Sequence, residues 1–211
     1  MIQDGPPDAA SRPASAIAGR LLSLPGGAVL AACFFLPAVR SCEESVYPYE
    51  LPAFAVPYAM GLLVAVFAVL ALVLGGRLPR WLSAAHTAIL CLGVIAAAAY
   101  FAFGTVGEIL DGWNGWLRLL PLAGPLAGCV ALVAFAAPVI SRGRSPDWRE
   151  ARATWAFGAA TFLWLLQWAL DRFTLLYGWW LSVAASLLVV AGGALLESAS
   201  RTASSRDHAR V

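Results

Sequence analysis

The sequence predicts an all-α integral membrane protein, a helical bundle with six transmembrane helices. Three observations predict it. Of the 211 residues, 61% are apolar and only 12% are charged, against roughly half and about 25% in soluble domains. The apolar residues fall in continuous blocks, and the arginines cluster between alternate blocks. A soluble exterior must face water and has no room for this much apolar surface. Continuous runs also exclude a transmembrane barrel, whose strands alternate. What remains is helices, which pair every peptide group within their own segment.

Six blocks reach the roughly twenty residues needed to cross a hydrocarbon core about 30 Å thick. The first runs from Leu21 to Val39, between Arg20 and Arg40. The second is Ala53 to Leu74, closed by Gly75, Gly76 and Arg77, and the third is Leu82 to Phe103, closed by Gly104. The fourth is Leu119 to Ile140, followed by an arginine-rich connection. The fifth is Ala153 to Leu170, ended by Asp171 and Arg172, and the sixth is Thr174 to Leu196. The bundle therefore occupies residues 21–197. Residues 1–20 and 198–211, rich in Ala, Ser, Pro and Arg, are expected as disordered cytoplasmic tails.

Orientation follows from the cations that flank the spans. With the N-terminus inside, the cytoplasmic segments hold Arg12, Arg20, Arg77, Arg80, Arg142, Arg144, Arg149, Arg152, Arg201, Arg206 and Arg210, and the outer segments hold Arg40, Arg118 and Arg172. Both termini are thus expected in the cytoplasm. The chain has no lysine and is rich in alanine, a bias that fits a GC-rich bacterial genome and hence a multi-pass protein of the bacterial inner membrane. Trp81 and Trp155 fall at inner span ends, and Trp113, Trp116, Trp179 and Trp180 at outer ones. Amphipathic rings prefer the headgroup level, so these are expected as anchors. The connection from Ser141 to Arg152 is basic and contains Trp148, which predicts a segment lying along an anionic leaflet. The lipid bilayer is the expected partner. A net charge of +2 spread over loops offers no nucleic-acid surface.

Leu30-Ala31-Ala32-Cys33 has the form of a lipoprotein signal preceded by Arg12 and Arg20, so lipidation at Cys33 with five remaining spans is an alternative. Against it, Phe34 to Val39 continue the apolar run to full span length.

Ionisable groups inside a membrane mark function by default, and the expected span interiors hold no Asp, Glu or Arg. His86 lies about a turn inside the third span and reads as a polar anchor at headgroup level. Cys33, Cys91 and Cys129 fall near the midplane, yet no pair of cysteines has the C-x-x-C spacing of a dithiol or zinc site. No catalytic residue, metal or cofactor is expected. Polar groups gather on the outer face: Glu43, Glu44 and Glu50 between the first two spans, Glu108 and Asp111 between the third and fourth, and Asp171 between the last two. Three connections on one side of the membrane are expected to converge on a shallow acidic, aromatic-lined cup for a cation, an amine or a partner. Gly124 and Gly128 form a G-x-x-x-G in the fourth span, Gly192-Gly193-Ala194 ends the sixth, and such small residues let helix backbones approach closely.

Phe34-Phe35-Leu36-Pro37-Ala38-Val39-Arg40-Ser41-Cys42 resembles the first-span exit of small polytopic bacterial membrane proteins. The resemblance implies a bacterial membrane origin and brings no activity or substrate. The sequence therefore predicts a non-enzymatic membrane protein, a scaffold or accessory subunit that packs against a partner membrane protein through its small-residue seams. The alternative is a small-solute or ion transporter that uses the outer carboxylates, its substrate unknown.

Overall fold

The structure is a computed structural model and describes residues 14–41, 44–50, 52–74, 78–110, 146–170 and 174–208. It is mostly helical. The elements are α1 (Ala14–Cys33), β1 (Val39–Ser41), β2 (Glu44–Val46), a 3-10 turn (Pro48–Glu50), α2 (Pro52–Val73), α3 (Arg80–Leu110), α4 (Pro146–Leu170), β3 (Thr174–Leu175) and α5 (Tyr177–His208). Among the described residues, three helices are long and apolar enough to cross a membrane: Ala14–Cys33, Ala55–Val73 and Tyr177–Thr202. Within α3, Arg80–Ile95 is a shorter apolar stretch. The expected fourth span, with Gly124 and Gly128, lies outside the described residues.

Helix ends follow local chemistry. Proline is the first residue of both α2 and α4, where its fixed φ fits and its missing N–H would have had no partner. Asp147 occupies the first turn of α4, facing the positive end of the helix dipole. α1 closes with tight turns, Phe34 N–H to Ala31 O at 3.2 Å and Leu36 N–H to Cys33 O at 3.1 Å. Pro37 then cannot continue the helix. The first span therefore ends earlier than the apolar run predicts, and Val39 belongs to a strand.

Both expected tails are corrected in part. α1 begins at Ala14 and α5 continues to His208, so residues 14–20 and 198–208 are helical. Packing explains the first extension, because Gly19 lies against Gly192 of α5. Ion pairs support the second, because Glu197 binds Arg152 and Arg201.

A small sheet, not anticipated from the sequence, joins the connections at one end of the bundle. β1 pairs antiparallel with β2 (Val39 opposite Val46) and with β3 (Val39 opposite Leu175). The sheet is extended by Leu176 N–H to Ala38 O at 2.9 Å and Gly178 N–H to Pro37 O at 3.2 Å. The link between α1 and α2 is thereby fastened to the link between α4 and α5.

α1 packs most extensively against α5 and α2, and α4 against α5 and α3. Small residues set these contacts. A Cβ on Gly26 would lie 2.9 Å from Ala185 O, and one on Gly27 would lie 2.5 Å from Gly61 O. Leu30, Tyr58, Leu90, Leu165 and Val189 fill the core between them. Large apolar side chains also face outward, including Leu62, Val66 and Val73 on α2 and Ile89, Leu92 and Ile95 on α3. A surface of that kind suits hydrocarbon rather than water.

Candidate functional site

The most distinctive polar constellation sits at the end of the bundle opposite the sheet, and its residues come from four helices. The Arg20 guanidinium on α1 pairs with the Glu150 carboxylate on α4 at 2.5 Å. Ser83 of α3 donates its hydroxyl to the other Glu150 oxygen at 3.0 Å. Arg20 also lies over the Phe67 ring of α2, 5.5 Å from its centroid, a cation–π geometry. His86, one turn beyond Ser83 on α3, stacks flat on the same Phe67 at 3.8 Å and 2°. The imidazole is only 3% exposed, and neither ring nitrogen has a hydrogen-bond partner.

Glu150 is 2% exposed. It precedes the expected fifth span by three residues, in a connection expected to lie along the membrane surface. That expectation is corrected: residues 146–152 are the first turns of α4, with Trp148 and Glu150 buried. Burial pushes the Glu150 carboxyl above its ordinary range, and the Asp147 charge adds to the shift. Arg20, by charge and hydrogen bond, and Ser83 act in the opposite direction. His86 is corrected as well. It faces the interior between α2 and α3 rather than serving as an exposed headgroup anchor.

A second ion-pair group lies at the same end, where Glu197 of α5 accepts from Arg152 of α4 at 3.2 Å and from Arg201 at 2.6 Å. The Arg152 guanidinium also lies 4.5 Å from the Trp148 ring centroid.

Two residues of the expected cup lie at the sheet end. Glu44 is exposed on β2 and Glu50 is exposed in the 3-10 turn, close to β3 through β1. The Glu50 carboxylate is engaged locally, accepting from Tyr47 N–H at 2.9 Å. Tyr47 and Tyr49 stack at 5.3 Å, and Tyr49 meets Phe34 edge-on at 6.3 Å. Glu108 lies in the last turn of α3. Glu43, Asp111 and Asp171 fall outside the described residues.

Cys33, the residue of the lipoprotein-like stretch, is the last residue of α1 and is 1% exposed. Near it the Tyr58 hydroxyl and Ser182 Oγ are 3.2 Å apart, and Ser182 donates to Gly178 O at 2.8 Å. Cys91 is half-buried on α3. Among the described residues no group of three His, Cys, Asp or Glu is placed to hold a metal ion. Trp81 and Trp180 are exposed as anchors require. Trp179 is instead buried and donates its indole N–H to Leu165 O at 3.0 Å.

The close helix contact expected of Gly192 and Gly193 is made within the bundle: Gly192 meets Gly19 and Ser23 of α1, and Gly193 meets Trp155 of α4. Sequence reasoning missed the matching seam on α1, although Gly19, Ser23 and Gly27 recur every fourth residue. It also missed Glu150, whose neighbours Asp147, Arg149 and Arg152 made it read as part of a solvated charge run. Between α2, α3 and α4 lies a small apolar cleft of about 20 Å³, lined by Pro57, Met60, Val94, Ala160, Thr161 and Trp164 among others.

Comparison of the chain with protein-family models, curated proteins and solved structures finds no match.

Proposed function

We propose that this chain is a non-enzymatic, six-span protein of the bacterial inner membrane, with both termini in the cytoplasm, acting as a scaffold or accessory subunit. The observation that carries the scaffold role is the backbone-to-backbone packing of the described helices at their small residues. Facing helices meet at glycine-to-backbone contact, and the cleft between α2, α3 and α4 has room for about one water. Small-molecule sites run to about 300–1,000 Å³. Close packing of this kind supports a holding role. With Gly192 and Gly193 turned inward, the partner surface falls to the outward apolar faces of α2 and α3.

Helix direction supports the fourth span. Ser83 near the start of α3 bonds Glu150 near the start of α4, so these two helices begin at the same end. The chain leaves α3 at the other end and must return before Pro146. Leu119 to Ile140 is apolar and long enough to make that crossing. Arg20, Arg80, Arg149, Arg152 and Arg201 share the end opposite the sheet, which supports a cytoplasmic placement of that end.

Purification in mild detergent after cross-linking, beside an uptake assay in vesicles, tests the role. A co-purifying membrane protein and no saturable uptake are expected. A monodisperse, partner-free protein with substrate-dependent uptake would overturn it. Reporter fusions that place the 141–145 connection outside the cell would overturn the orientation.

A transporter reading draws on the pairing of β1 with β3, which joins the first and last outer connections at the end that carries Glu44 and Glu50. Neutralising Glu43, Glu44 and Asp111 together tests it, and unchanged binding and growth would dismiss the cup.

A further inference from the structure

We propose that Glu150 is a proton-binding clasp: its ionised form ties α1 to α3 and α4, and its protonated form releases Arg20 and loosens the first turns of α1. The geometry is that of a switch with a single titrating centre. One carboxylate joins three helices, taking Arg20 on one oxygen and Ser83 on the other. It is almost wholly buried, whereas the Arg20 side chain keeps 18% of its surface exposed. A proton from solvent therefore has a way in beside the guanidinium. The freed guanidinium has a way out along the same side toward lipid phosphates or water.

The groups around the carboxylate are few. α1 contributes Arg20, and α2 contributes the uncharged Phe67 beneath it. α3 contributes Ser83 and His86. On α4 itself Asp147 is exposed one turn away, Arg149 is adjacent, and the Thr154 hydroxyl bonds Glu150 O. α5 contributes Glu197, already bound by Arg152 and Arg201. Protonation removes the buried negative partner of Arg20, and the exposed Asp147 offers only a water-screened replacement. Burial favours the uncharged carboxyl, so the exchange falls above the ordinary glutamate range of 4.5.

Hydrogen–deuterium exchange of the full chain in nanodiscs, corrected for intrinsic rates across pH, tests the clasp. Nanodiscs expose both faces, so the outcome does not depend on the orientation proposed above. Amides of residues 18–24, the first in α1 with intrahelical acceptors, are expected to lose protection on acidification, with a midpoint above 4.5. Glu150→Gln is expected to abolish the transition and hold these amides in the fast-exchanging state. Ser83→Ala removes a hydrogen bond to the charged form and is expected to raise the midpoint by about 0.5–1 pH unit; this milder variant keeps the test valid if Glu150→Gln does not fold. His86→Gln is expected to leave the midpoint in place. Protection independent of pH in the wild type, an unchanged transition in Glu150→Gln, an unmoved midpoint in Ser83→Ala, or loss of the transition in His86→Gln would each overturn the proposal.

Discussion

Gly192→Ala tests whether α1 and α5 touch through their backbones. A Cβ at residue 192 would meet Ser23 Oγ first, then Gly19 O at 2.7 Å and Ser23 N at 2.8 Å. Ordinary carbon contacts begin near 3.5 Å, so the helices must part by about 0.7 Å. The Ser23 hydroxyl cannot simply turn away without giving up its bond to Gly19 O at 2.9 Å. The backbone atoms cannot turn at all. Overpacking of this kind costs about 3 kcal/mol, the upper end of the usual range, and alanine returns about 1 kcal/mol in helix propensity. The net loss is about 2 kcal/mol, or about 4–8 °C in melting temperature for a chain of this size.

Gly93→Ala is the matched control. A Cβ there meets Sδ, Cγ and Cε of Met60 at 3.0 to 3.3 Å, the flexible end of an adaptable side chain. Met60 can move, so the propensity gain survives and the melting temperature stays level or rises. Thermal unfolding of both variants in one detergent, followed by tryptophan fluorescence, gives the comparison. A Gly192→Ala melting temperature equal to or above that of Gly93→Ala would refute the backbone contact.

Two further outcomes follow from the same packing. Arg20→Ala leaves Glu150 buried without its cation and is expected to cost about 3–5 kcal/mol, whereas Arg201→Ala removes an exposed i,i+4 partner of Glu197 and is expected to cost under about 1 kcal/mol; unfolding of the two variants side by side checks the ranking. Tyr58→Phe removes a buried hydroxyl 3.2 Å from Ser182 while Ser182 keeps its bond to Gly178 O, so a loss of about 1 kcal/mol is expected, and a loss as large as that of Arg20→Ala would contradict the assignment.

The apolar runs made α2 legible almost to the residue, since Ala53 to Leu74 nearly coincides with Pro52–Val73. Strong hydrophobicity over a full span leaves few alternatives. The sheet was illegible for a different reason. Val-Arg-Ser, Glu-Ser-Val and Thr-Leu are too short for alternation to register. Val39 also finds its partner Leu175 far along the chain, and only the folded bundle brings them together. Glu150 was hidden similarly. Its charged neighbours suggested water, while the pairing that makes burial tolerable comes from Arg20 at the other end of the sequence. The α1 seam was spelled out in Gly19, Ser23 and Gly27, but Gly19 precedes Leu21, where the apolar run begins, so the spacing fell partly outside the expected span.

The two ends of the bundle and its middle are fastened by different chemistry, and α1 takes part in all three. At one end Arg20 neutralises Glu150. In the middle Gly26 and Gly27 admit α5 and α2. At the other end Pro37 and Ala38, just past the helix, accept from Gly178 and Leu176. Cleavage before Cys33, as lipoprotein processing requires, would remove the first two fastenings together. Glu150 would be left buried and unpaired, a state that costs several kcal/mol, and the small-residue faces of Gly61 and Gly192 would open onto lipid without a helix to fill them. The packing therefore favours retention of α1 over lipidation of Cys33, and an intact mass that includes residues 1–32 is the expected measurement. A mature chain that begins at a lipidated Cys33 and still forms a stable bundle would mean that α1 holds nothing together.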